Sequence, residues 1–305
     1  MCVKLLKSVG LRFGDNPVTK KLHTAFTLIE LMTVIAVISV IMAILLPAVN
    51  QVRLQARTIL GTNNHRQIVS AVNLFALDND DNYPDSVATL GDQDSWNWQE
   101  PMMLTGYRAR SPRLHRSMSA YLYSYIKDAC ILFCPNAPNE YEYLQESWNA
   151  GDMWDNPETP PNKDPVSGTY CFYWNYTGYL VERDYLFRGP RNASGGRTRS
   201  NLLVSDYFGY NHWRSRNSYS SCEMFAERSI VEGTLLSSDY WSCRDNVKPN
   251  VPDIKLQAGY IDGHVERYSS LDTITMKVIL VPKIGEPYPD DIEPGNFFLP
   301  RDALH

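Results

Sequence analysis

No His-Glu-x-x-His, no Gly-x-Ser-x-Gly and no phosphate-binding glycine loop occurs anywhere in the 305 residues. Metalloprotease, serine-hydrolase and nucleotide-binding chemistry thus lack their usual groupings, and neither an enzyme nor a cofactor is expected. Cys-x-x-Cys is missing too, and six cysteines are too few for a small disulfide scaffold in so long a chain. An excess of positive charge is also lacking. Lys and Arg number 29 against 34 Asp and Glu, a net charge of -5, so nucleic acid is not expected as a partner. What is present suits a folded chain: 44% of residues are hydrophobic and 21% charged, which excludes wholesale disorder. The length admits one large domain or two small ones, and no internal repeat is visible.

Charge is unevenly distributed. Residues 1–25 carry Lys4, Lys7, Arg12, Lys20 and Lys21 against Asp15, which gives +4 and leaves -9 for the rest. An apolar run follows at once. Residues 26–46 read FTLIELMTVIAVISVIMAILL, with Thr27, Glu30, Thr33 and Ser39 as the only polar positions. At about 1.5 Å per residue a helix of this length spans a bilayer core of about 30 Å. Its many β-branched residues weaken a helix in water, but in lipid the backbone can satisfy its hydrogen bonds only internally. Lys20 and Lys21 place the N-terminus on the cytoplasmic side and everything after Pro47 outside.

Three readings compete for the run: a secretory signal peptide, a plain signal anchor and a specialised leader. A signal peptide has a shorter apolar region that ends in small residues. A plain anchor does not account for Glu30, because a carboxylate inside an apolar helix costs about 2.5–3.5 kcal/mol on insertion scales and calls for a cationic partner. Lys20-Lys21-x-x-x-Ala25 followed by Phe26-Thr27-Leu28-Ile29-Glu30-Leu31 resembles the class III signal of type IV prepilins and type II secretion pseudopilins. The resemblance implies cleavage by a prepilin peptidase between Ala25 and Phe26, with N-methylation of Phe26. It also implies that Glu30, the fifth residue of the processed chain, contacts the amino terminus of a neighbouring subunit. Pro47 falls where the family commonly places a helix-loosening proline. One departure is the residue before the cut, usually Gly and here Ala25.

Past Pro47 the pattern becomes amphipathic. Val49, Val52, Ala56 and Ile59, then Ile68, Val72 and Phe75, recur at helical spacing between polar residues. The helix is expected to stop near Asp78, before a run of turn formers and Pro84, with a bend at Gly61. Beyond it the sequence reads as mainly β. Residues 169–180 and 201–208 suit strands, 257–268 suit a hairpin about Asp262-Gly263, and 273–281 suit a strand or a helix. Residues 149–165 and 189–196 read as loops, and 282–300 as a proline-bearing tail. Phe133-Cys134-Pro135 and Tyr260-Ile261-Asp262-Gly263-His264-Val265 are similar to landmarks of pseudopilin-like proteins with large heads. That group's signature places a His ten positions before the Asp of its Asp-Gly; here Pro252 stands there. The expected fold class is α+β: a leader at 1–25, a transmembrane helix at 26–47, its amphipathic continuation at 48–78, and a mainly antiparallel head at 79–305.

Several groupings have a functional and an ordinary reading. Asp78, Asp80 and Asn82 start like a calcium loop, but Tyr83 and Thr89 replace its Gly and Glu, so a helix-ending turn is the better account. Cys130, Cys134, Cys171, Cys222 and Cys243 would lie outside the membrane, where structural disulfides are favoured over a metal site, and at least one bridge is expected. Arg108, Arg110, Arg113 and Arg116 around His115 suit a polyanion contact or a solvated surface, the latter favoured. The 7 Trp and 19 Tyr suit either sugar stacking or strand packing, and packing is favoured. His264 beside Asp262 suits a turn.

The expected role is a structural pilin-like or pseudopilin-like subunit of an envelope filament. Its expected partners are a prepilin peptidase/N-methyltransferase, other pilin or pseudopilin subunits and inner-membrane lipid. The alternative is a membrane-anchored module that binds glycan or a surface polymer through its aromatic head.

Overall fold

The computed structural model describes residues 27–88, 100–104, 117–135, 142–151, 154, 168–195, 200–210, 219–220, 255–279 and 296–304. The chain divides into two compact units, Met1–Asn50 and Gln51–His305. One helix, α1, runs from Leu28 to Asp78 over 51 residues with Pro47 inside it. By length and composition α1 can cross a membrane. In the first unit every described residue is exposed, including Leu28, Ile35, Ile41 and Leu46.

Within the second unit α1 changes character at Gly61. From there Asn64, His65, Ile68, Val69, Ala71, Val72 and Ala76 are buried in a repeating one-three-four pattern, the mark of one helical face set on a core. The expected apolar stripe is thus only half used for packing. Val49, Val52, Ala56 and Ile59 have the right spacing, yet all four are exposed. Spacing identifies a helical face but not what covers it. The helix ends at Asp78 as expected, and it is continuous through Gly61.

The head is α+β. Short helical segments follow α1: α2 (Met118–Leu122), a 3-10 turn (Ala129–Leu132) and α3 (Glu142–Asn149). The strands come next, namely β1 (Tyr170–Phe172), β2 (Thr177–Leu180), β3 (Tyr185–Arg188), β4 (Leu202–Tyr210), β5 (Tyr219–Ser220), β6 (Lys255–Tyr260), β7 (Val265–Ser269), β8 (Thr273–Lys277) and β9 (Asn296–Pro300). All pairings among the described strands are antiparallel, in the order β3-β2-β8-β9-β4-β6-β7. β4 is the hub. Its first half pairs with β1 and β6, and its second half with β5 and β9.

Alternation along the strands builds two cores. Tyr170, Phe172 and Trp174 point into a cluster with α1, α2 and α3, while Cys171 and Tyr173 point into a second with Leu180, Phe187, Leu256, Met276 and Phe297. The aromatics of 170–176 are therefore interior, as the packing reading holds.

Two elements differ from the sequence expectation, and a third takes one of the two forms left open. Residues 169–180 are two strands, because Asn175 adopts φ +51° and its side-chain amide donates to the Tyr83 and Pro84 carbonyls at 3.0 and 2.9 Å. Of residues 273–281, open to a strand or a helix, Thr273–Lys277 form the strand β8. The proline-bearing tail ends in β9, a strand flanked on both sides by β8 and β4. Its buried Phe297-Phe298-Leu299 core is too short to show a period, and Pro300 fits only because it closes the strand. The hairpin about Asp262-Gly263 forms as expected, with Gly263 at φ +90°. Residues 149–165 lie mostly outside the described set.

Gly189 carries a clear stability prediction. Its amide donates to the Tyr176 carbonyl at 3.0 Å, and a Cβ placed there would collide with the Tyr173 backbone carbonyl. Gly189→Ala is expected to destabilise the head by about 3 kcal/mol or more, read as a lower unfolding midpoint in denaturant.

Candidate functional site

The start of α1 is built by local hydrogen bonds. Thr27 stands at the N-cap position, and its hydroxyl accepts from the Glu30 amide at 3.2 Å. Glu30 answers through Oε2, which accepts from both the Thr27 amide and the Thr27 hydroxyl at 2.8 Å. Thr-x-x-Glu is a capping box, and it occupies donors that a helix start otherwise leaves unmet. Glu30 was expected to need a cationic partner, yet it has a local partner in Thr27. The signal was legible as a Ser/Thr-x-x-Glu motif before an apolar run; the apolar run itself drew attention away from it.

The remaining polar groups of the apolar stretch are also satisfied within the helix. Thr33 donates to the Glu30 carbonyl at 2.8 Å and Ser39 to the Ile35 carbonyl at 2.7 Å. Pro47 has no N–H, so the Ala43 carbonyl cannot be bonded in the ordinary helical way. Ala25 and Phe26, the expected cleavage and methylation positions, lie outside the described residues.

In the second unit α1 is fixed to the sheet by buried polar contacts. Gln257 of β6 donates from Nε2 to the Thr58 carbonyl of α1 at 3.0 Å. Its own amide donates to Asp206 Oδ2 of β4 at 2.9 Å. Asp206 Oδ1 lies 3.7 Å from His65 Nε2, with both side chains almost wholly buried. Further along, Asn73 donates to the Ile261 carbonyl and accepts from the Tyr83 hydroxyl, at 3.0 and 2.7 Å. Asn64 donates to the Phe133 carbonyl at 3.2 Å. Burial disfavours the charged form of the His65 imidazole, and its bond to the Gly61 carbonyl pulls the other way. Sequence reasoning missed this set, because its members are spread over nearly two hundred residues.

The other expected sites take ordinary roles or fall outside the described residues. Asp78 accepts from the Tyr125 hydroxyl, Asp81 from the Ser194 amide, and the Asn82 side chain donates to the Asn79 and Asp80 carbonyls. Asp80 and Asp81 have positive φ, so this segment is a helix-ending turn. Among the described residues, no group of three or more His, Cys, Asp or Glu is arranged to hold a metal ion. Cys130, Cys134 and Cys171 are not joined in disulfides. Burial pushes the Cys171 thiol up, which makes it unreactive. Cys222, Cys243, Pro252 and the arginine cluster at 108–116 lie outside the described residues. Asp262 accepts from the His264 amide at 3.1 Å, and the His264 ring stacks on Tyr260 at 4.4 Å, which is a turn's geometry.

Comparison with known proteins bears on the N-terminal segment. Residues 20–46 match the Prokaryotic N-terminal methylation motif. The chain carries that motif. The match takes in the basic pair, both expected processing positions, the capping box and the apolar run that follows. No curated protein matches the chain, and no solved structure does.

Thr27→Val keeps the shape of the cap and removes its hydroxyl. The Glu30 amide is expected to exchange hydrogen about fivefold faster in detergent micelles, the equivalent of about 1 kcal/mol of capping, while amides beyond the first two turns stay unchanged.

Proposed function

We propose that the chain is a pilin-like or pseudopilin-like structural subunit of an envelope filament, of the type IV pilus or type II secretion kind. In this reading it is exported by the prepilin route, cut between Ala25 and Phe26, methylated on the new amine and held in the inner membrane by α1, with the head outside. The observation that carries the reading is the methylation motif at residues 20–46, continuous with an apolar helix long enough to span a membrane. No catalytic step is assigned to the head, whose role is to be carried by the helix. The partners are the processing peptidase, lipid and neighbouring subunits.

The geometry of Glu30 supports an assembly role beside its capping role. Both bonds from Thr27 fall on Oε2. Oε1 remains to accept from the Phe26 amine of an adjacent subunit, so the two roles are compatible. In a desolvated setting the attraction between amine and carboxylate exceeds its value in water, whereas a carboxylate slipped out of register stays buried at a cost. Correct axial stagger is thereby favoured and slipped staggers are penalised.

Two measurements test the reading. Mass spectrometry of the chain from its native membrane should find an N-methylated Phe26 as the first residue; an intact leader would exclude it. Cysteine cross-linking along residues 34–46 should then fall at least about tenfold in both Glu30→Leu and Glu30→Gln. The Gln variant retains an oxygen for the cap, so its loss of cross-linking would isolate the charge. Membrane insertion should persist in both.

A further inference from the structure

His65 sits where α1 crosses the strands, and each of its nitrogens has a defined neighbour. Nδ1 lies 2.9 Å from the Gly61 carbonyl. A carbonyl only accepts, so Nδ1 must carry a proton and donate it. In a neutral ring Nε2 is then a bare acceptor. Among the described residues it has no hydrogen-bond partner, and it faces Asp206 Oδ1 at 3.7 Å. Two acceptors facing each other in a dry interior repel; one proton placed between them turns the repulsion into a charge-assisted hydrogen bond.

We infer that His65 and Asp206 share a single proton that latches α1 to the sheet, and that loss of this proton at alkaline pH loosens the helix from the head. The latch is short in sequence on one side only. His65 comes from α1 and Asp206 from β4, so the bond closes a loop of about 140 residues. On α1 the Gly61 carbonyl holds Nδ1. On β1 the Tyr170 ring meets the imidazole edge-on at 4.5 Å, and the Cys171 thiol feels the Asp206 charge. On β6 the Gln257 amide holds Oδ2. On β7 the Tyr268 hydroxyl, itself raised by burial, also feels Asp206.

Two effects act on His65 in opposite directions. Burial favours the neutral ring. The Asp206 carboxylate favours the protonated one, and the same burial strengthens that attraction by lowering the local dielectric. The latch requires the second effect to win, which places the folded-state value above the unfolded value of about 6.5. The sign of the pH dependence follows. The stabilisation is fully present below that unfolded value and is lost as pH rises through the folded one. Gln257 adds a proton-independent tie between the same helix and strands, so α1 loosens without detaching.

The test uses the full chain in detergent micelles, with thermal unfolding of the head followed by near-ultraviolet circular dichroism from about pH 5 to pH 9. Asp206→Asn keeps an oxygen for the Gln257 amide and supplies an N–H to His65 Nε2 that no pH change removes. His65→Gln supplies a fixed donor from the other side. Wild type is expected to lose about 3 °C relative to either variant as pH rises across this range. Parallel curves for wild type and both variants would overturn the latch. So would a wild-type midpoint that falls, relative to the variants, as pH is lowered, since that marks a ring kept neutral beside the carboxylate. If neither variant folds, imidazole ¹⁵N spectra of the wild type decide: His65 protonated on both nitrogens at about pH 7 supports the latch, and an unprotonated Nε2 there overturns it.

Discussion

A polar group cut off from water must find its partner inside the protein, and α1 meets this requirement along a single helix in two kinds of surroundings. At its start, Thr27 and Glu30 satisfy each other and the first backbone amides. Through the apolar stretch, Thr33 and Ser39 return their hydroxyls to the helix backbone. From Thr58 onward the partners come from elsewhere in the chain: Gln257, Asp206, Ile261, Phe133 and Tyr83. The first set makes the helix self-sufficient. The second makes it dependent on one particular sheet.

That dependence explains how the head is organised. β4 carries Asp206 and pairs with four other strands, so the residue that faces His65 stands on the most connected element of the sheet. The apolar contacts of Ile68, Val69 and Val72 supply most of the adhesion between helix and sheet, because they are numerous and fully buried. Apolar packing alone tolerates small slides and rotations. Buried polar contacts do not, since a displaced helix would strand His65 and Asn64 away from water. Adhesion and register therefore come from different residues on the same face.

Much of the N-terminal chemistry was legible in the sequence because it is local. The basic pair, the apolar run, Glu30 at the fifth position after the expected cut and the stop at Asp78 all lie within about sixty residues of one another. Glu30 has a second role that the sequence reading did not name. Beside the cation expected from its placement in an apolar run, Thr27, three residues back, supplies two donors to one of its oxygens. The amphipathic stripe was read correctly as helix and too generously as packing surface, since Val52 and Ile59 are exposed.

By itself the sequence determined the long helix, its end, the hairpin about Asp262-Gly263 and the antiparallel β character of the head, because periodicity and turn chemistry act over a few residues. Only the tertiary structure decided that Asn175 splits one apolar run into two strands, that Phe297-Phe298-Leu299 lies between two other strands, and that His65 faces Asp206. Each of these depends on a partner roughly twenty to a hundred and forty residues away in the chain. Pairing at that range is settled by which arrangement buries the apolar surface and leaves no polar atom stranded, a condition on the whole head that no short window of residues contains.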